Sequence, residues 1–177
     1  MPRLLSADVS FTDLRDLATI RDVGLRKEPW EALARSELAA EEQTIIARIS
    51  ADLRGYPPSL VNAVTVFARS IYPLLVLAET DGVQALADVP IQANLGDVDL
   101  CGTAHAALGR PVAGMLRTPF FLLTQAKRGV EGASPAPRLY AEMLAAALSN
   151  AREINLTTAT LYGCYTIADN WTFVRGR

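Results

Sequence analysis

The sequence predicts one α/β domain built on a mixed sheet. Three observations lead there. Apolar residues recur at helical spacing through the first half of the chain and at strand spacing after about residue 89. Pro119 to Thr124 is a near-continuous apolar run, the mark of a strand covered on both faces. A helical segment then separates that run from two β-branched and aromatic segments.

The elements follow in order. Leu14, Leu17 and Ile20 step at helical spacing, so a short helix is expected over 11–21, ended by Gly24. Glu28-Pro29-Trp30 opens a second element. From Glu37 to Leu53, the positions Leu38, Ile45, Ile46, Ile49 and Leu53 fall on one face. Ser36 is the expected cap, Glu37, Glu41 and Glu42 suit the positive helix start, and Gly55-Tyr56-Pro57-Pro58 stops the helix. A further helix runs from Ser59 to Asp81-Gly82, with Val61, Val64, Phe67, Ile71 and Leu75 inward and a kink at Pro73.

Val89 to Leu95 alternates as a half-buried strand does, and Val98 to Ala104, extending toward Leu108, reads as the next. Gly109-Arg110-Pro111 is expected to open a loop lasting to Thr118. The Pro119–Thr124 strand follows, then a loop over 129–137, then a helix from Leu139 to Leu148 with Leu139, Met143, Leu144 and Ala147 inward. Thr158 to Ile167 is a strand, Asp169-Asn170 a turn, and Trp171 to Val174 its hairpin partner.

Composition excludes several functions. The chain has 177 residues, 50% hydrophobic and 20% charged, which suits a folded domain able to bury roughly 70% of its unfolded surface. With 17 basic and 19 acidic residues the net charge is −2, so a strongly basic nucleic-acid arm is excluded and any such contact needs a local patch. One histidine excludes a multi-histidine metal centre, and two cysteines are too few for a disulfide framework. The start carries Asp8, Asp13 and Asp16 among scattered apolar residues, unlike a secretion signal. The most apolar stretch, Ile71 to Ala78, is too short to span a bilayer. The expectation is a cytoplasmic protein without a membrane segment.

One segment stands out chemically: Phe120 to Gly129, in which a buried strand ends in Gln125-Ala126-Lys127-Arg128. Residues two apart share a strand face, so Gln125 and Lys127 point the same way. A carboxylate at the first position would hold Mg²⁺, and the lysine would orient water or stabilise a phosphorane.

This arrangement, with its helix–three strands–helix–strand order, resembles the PD-(D/E)XK nuclease-like superfamily, the restriction-endonuclease-like fold. Asn62 to Glu79, Gly102 to Gly109, Gln125 to Gly129, Leu139 to Ala146 and Tyr162 to Phe173 occur in the order of a bacterial group of such proteins, over roughly residues 35–175. The resemblance implies a restriction-endonuclease-like core with extra N-terminal helices, residues 1–35 being the extension. It implies a strand glutamate where this chain has Gln125, a lysine at Lys127, a second-strand aspartate at His105 and a helix glutamate at Ala63. All three acidic positions are then substituted, and a neutral amide with one imidazole is a poor set of ligands for a hard cation. A rival register makes Asp99 the strand acid, with Glu41 or Glu42 supplying the helix carboxylate.

Three functions follow as expectations. The first is a nuclease-like module, its catalytic acids substituted, that binds nucleic acid or a protein. The second is an active Mg²⁺-dependent phosphodiesterase using Asp99, Gln125 and Lys127, with Asp99 and Gln125 on the metal. The third is a structural homodimer joined through the 159–174 hairpin and the alanine-rich helix. Each site residue also has an ordinary structural reading. His105 suits a hydrogen-bonded strand residue, and Trp171 and Phe173 core positions; Glu142, on the helix after the lysine strand, either lines the site or, more commonly for such a residue, is an exposed helix charge. Cys101 and Cys164 read as core thiols with no basic neighbour. The alanines at 141 and 145–147 suit either close helix–sheet packing or a dimer seam.

Overall fold

A computed structural model of the chain describes residues 3–21, 37–55, 61–127, 134–155, 160–167 and 170–177. The described elements are β1 (Arg3–Leu5), α1 (Phe11–Leu17), α2 (Ala40–Gly55), α3 (Ala63–Val66), a π-helical turn (Phe67–Ile71), α4 (Tyr72–Leu77), β2 (Gln84–Leu95), β3 (Val98–Val112), β4 (Met115–Lys127), α5 (Ala136–Ile154), β5 (Leu161–Ile167) and β6 (Asn170–Gly176). The expected α/β architecture with a mixed sheet is present.

The six strands form one sheet in which β2 to β6 lie side by side in chain order. The β4–β5 pair is parallel, and α5 makes the crossover between its strands. The β2–β3, β3–β4 and β5–β6 pairs are antiparallel. Sequence reading missed β1, which pairs in parallel with Asp99–Cys101. Three residues carry too little periodicity to signal a strand.

Side-chain alternation along β4 sorts the two faces. Leu123 belongs to a core under α5 with Leu139, Met143, Ala145 and Ala146. Ala126 and Leu122 belong to a second core under α3 and α4, with Val66, Ile71 and Leu75. Both faces are thus covered, which accounts for the continuous apolar run. Helix α5 lies close on the sheet because its contact positions are alanines and because β5 offers a glycine. A Cβ on Gly163 would sit 2.4 Å from the Met143 sulfur. Ala141, Ala145 and Ala146 are fully covered, so the alanine stripe is helix–sheet packing rather than a dimer seam.

Several expectations are corrected. The 109–118 loop does not form: β3 continues to Val112, turns tightly at Ala113-Gly114, and β4 begins at Met115. Ala113 and Gly114 both adopt positive φ. The β3–β4 ladder absorbs the Gly109-Arg110 step by a register irregularity, which sequence punctuation reads as a break. Within the helix expected from Ser59, residues 63–77 form one continuous helical run, α3, the π-helical turn and α4, and the π-turn lies directly before Pro73, where the missing N–H interrupts the ladder. Val64 and Leu38 face outward, at 74% and 45% exposure. Asn62 caps α3 by accepting the Thr65 N–H at 2.8 Å. Gly24, Glu28 to Trp30, Ser36, Tyr56 to Ser59, Arg128, Gly129 and Asp169 lie outside the described residues.

Candidate functional site

Strands β3 and β4 part company near the middle of the sheet. Their ladder ends at Ala106↔Thr124, after which β4 pairs only with β5. On the vacated edge of β3, β1 takes over at Cys101. On this edge, opposite the one paired with β2, residues 102–105 of β3 face a fork, and the backbone groups that point into it need other partners.

Side chains from four elements fill that fork. Gln125, at the end of β4, donates through Nε2 to the Thr103 carbonyl at 3.3 Å and to Glu142 Oε2. Arg138 Nη2 donates to the same Thr103 carbonyl at 2.6 Å. Arg138 Nε also reaches Glu142 Oε1 at 3.0 Å, one helical turn along α5. Ser6, just after β1, donates to Glu142 Oε1 at 2.9 Å. On β3 itself, His105 Nδ1 accepts the Ala126 N–H at 3.0 Å and so replaces the missing ladder bond.

Glu142 is the centre of this cluster and is 1% exposed, not the exposed helix charge expected. Its burial costs hydration and pushes its pKa up, while hydrogen bonds from Gln125, Arg138 and Ser6 and the Arg138 charge pull it back without cancelling the rise. Three donors meet the two carboxylate oxygens, so they are engaged from inside the protein. Gly102 leaves room for this closure: a Cβ there would lie 2.1 Å from Ser6 Oγ and 3.1 Å from the Glu142 side chain.

Lys127 shares the α5 face with Gln125 and lines an open groove of about 400 Å³ beside Arg138, Pro135, Ser10 and Phe11. Serine and phenylalanine here come from the start of α1, where Ser10 and Asp13 form a capping box. Two cationic side chains thus lie along one groove at the mouth of the fork.

The other sequence candidates lie elsewhere. Asp99 is on β3 four residues before Thr103, about 13 Å along the strand, and accepts a hydrogen bond from Asn94 Nδ2 at 2.9 Å. Ala63 opens α3, which packs on the Ala126 face, opposite Gln125. Glu42 accepts the Ala39 N–H at 2.7 Å and caps α2, and Glu41 is exposed beside it. His105 turns its ring toward Phe67, with centroids 6.1 Å apart. The fork therefore gathers Gln125, Lys127 and His105 about one strand end and leaves Asp99, Ala63, Glu41 and Glu42 outside it. Among the described residues, no group of three or more His, Cys, Asp or Glu side chains is placed to hold a metal ion.

Sequence reading missed Ser6 and Arg138, and of its two readings of Glu142 it favoured the exposed one, which the structure overturns. The four-residue spacing of Arg138 and Glu142 was a signal for the ion pair. Nothing local announced Ser6, which arrives from 136 residues away. Cys101 does have a basic neighbour: Arg3 Nε approaches its sulfur at 3.3 Å. Cys164 is buried in apolar surroundings, and its thiol is pushed up to about 12. Phe173 is exposed at 59% rather than in the core. Among the described residues no helix is long and apolar enough to cross a membrane.

No protein-family model matches the chain, and no curated protein matches it.

Proposed function

We propose that this protein is a nuclease-like scaffold that binds a nucleic acid at the Lys127 groove without hydrolysing it. The closure of Glu142 carries the reading. A hydrolytic metal centre of this kind needs carboxylate oxygens open to a hard cation. Among the described residues a single carboxylate stands at the fork, and it already accepts from Gln125, Arg138 and Ser6. The fold supports the restriction-endonuclease-like part of the proposal. A helical segment, three antiparallel strands, a crossover helix and a strand parallel to the third follow in that order, and the Gln-x-Lys pair sits where the second and third of those strands separate.

Lys127 supplies the local positive charge at the groove that a chain of net charge −2 needs for a phosphate backbone, while Arg138 beside it is engaged by Glu142 and the Thr103 carbonyl. The rival, a Mg²⁺-dependent phosphodiesterase using Asp99, Gln125 and Lys127, has less support because Asp99 stands at the far part of β3, bonded to Asn94.

Fluorescence anisotropy with labelled single- and double-stranded oligonucleotides tests the proposal. Binding at low salt should weaken steeply as salt rises, and Lys127→Glu should lower affinity about tenfold or more. The oligonucleotide should stay intact with Mg²⁺ or Mn²⁺. Absence of binding at low salt refutes the groove, and cleavage abolished by Lys127→Ala refutes the non-catalytic reading.

A further inference from the structure

The two long outer strands of the sheet differ in how they are protected. Strand β2 carries Pro90 and, at Asp88, a residue with φ of 54°. Both features roughen an edge against pairing with another chain. Strand β6 has neither. Its ladder with β5 runs without a register shift from Ile167↔Asn170 to Leu161↔Gly176. It contains no proline and no lysine, and its one charge, Arg175, stands near its end. Among the described residues nothing pairs with its outer edge.

The side chains of that edge also carry unexplained apolar exposure. Phe173 is 59% exposed and stacks on Trp171 with centroids 6.3 Å apart and planes 19° apart. Both stand on the face of Ala126, since Trp171 lies opposite Thr166 and Thr166 opposite Ala126. Lys127 lies on the other face, so these rings do not extend its groove.

The strand is self-complementary when turned antiparallel on itself. Pairing Phe173 with Phe173 of a second copy sets Trp171 opposite Arg175 of that copy, and Thr172 opposite Val174. All the aromatic and arginine side chains then share one face. Trp171 and Arg175 then stand opposite each other across the pair, and two phenylalanines meet at the two-fold axis. No like charges face each other. We infer that the outer edge of β6 joins a second copy of this chain, centred on Phe173, and merges two six-stranded sheets into one.

Sedimentation of the full chain over about 1–100 µM, the range of small transient interfaces, tests this. The mass should rise from 19.1 kDa toward twice that value. Phe173→Lys places two ammonium groups at the axis and should weaken association at least tenfold. Because Phe173 is mostly exposed, circular dichroism and the thermal midpoint should stay as in the parent. A second pair of variants reads the register. Phe173→Cys should form an intermolecular disulfide on mild oxidation, and Thr172→Cys should not, since it faces position 174 rather than itself. A monomer throughout the range overturns the inference, as does a dimer indifferent to Phe173→Lys. So does equal cross-linking at 172 and 173, or a Phe173→Lys variant that loses oligonucleotide binding with no change in mass.

Discussion

His105 Nδ1 accepts the backbone N–H of Ala126 at 3.0 Å across the gap where β3 and β4 separate. The imidazole thereby does the work of a strand carbonyl. It also fixes the tautomer, because Nδ1 must carry no proton to accept. The lone histidine of the chain is in this way engaged in holding the fork.

His105→Ala should therefore destabilise the fold by about 1–3 kcal/mol, the penalty for a buried amide left without a partner. Urea unfolding followed by circular dichroism measures it. A change within a few tenths of a kcal/mol would show that Ala126 finds another acceptor.

Glu142 gives the pH dependence its sign. Its folded pKa is raised above the ordinary value of 4.5, so the folded state prefers the protonated form. The stability it contributes is fully present below pH 4.5 and is lost as pH rises through the elevated folded value. Glu142→Gln should flatten that part of the stability–pH curve while keeping the fold, because Gln125 can turn its amide to accept. Glu142→Ala should cost about 1–3 kcal/mol by leaving the buried Gln125 and Ser6 donors without their acceptor. Denaturant midpoints across pH 4 to 8, taken for each variant, make the comparison; an unchanged slope in Glu142→Gln would count against the buried carboxylate as its source.

Gln125→Glu would restore the acid that the nuclease resemblance expects, yet it sets a second carboxylate against Glu142. The expected result is loss of about 3–5 kcal/mol at neutral pH, since a donor becomes a like charge in a buried cluster. Because one of the two carboxyls then titrates at a raised pKa, the loss should shrink as pH falls. Equal stability of Gln125→Glu and parent at pH 7 would mean that the cluster is more open than the geometry shows.

Gly102→Ala should displace Ser6, whose Oγ occupies the space of the new methyl. We expect about 1–3 kcal/mol of destabilisation and faster amide exchange in Leu4 and Leu5, whose β1 pairing depends on the same approach. Hydrogen exchange resolves this; an effect spread evenly over the sheet would contradict a local strap.

The layers were legible in the sequence, and most of the site was not. Strand β4 and helix α5 announced themselves through the Pro119–Thr124 run and the Leu139, Met143, Leu144 and Ala147 spacing, because burial on a regular element imposes a period. Gly109-Arg110-Pro111 misled, because turn residues tolerated at a strand irregularity look the same as turn residues in a loop. The shared face of Gln125 and Lys127 followed from strand alternation alone. Glu142 did not, since a carboxylate becomes buried only when donors as distant as Ser6 arrive to meet it. Phe173 misled for the opposite reason: an aromatic on an outer strand reads as core whichever side of the sheet edge it ends on.

The closed state of Glu142 is tested most directly by titrating the parent protein with Mn²⁺ in a calorimeter at neutral pH, with Glu142→Gln as the control. Both should give only heats of dilution. A saturable heat in the parent that disappears in Glu142→Gln would contradict the account, because it would mean that the carboxylate is available to a cation after all.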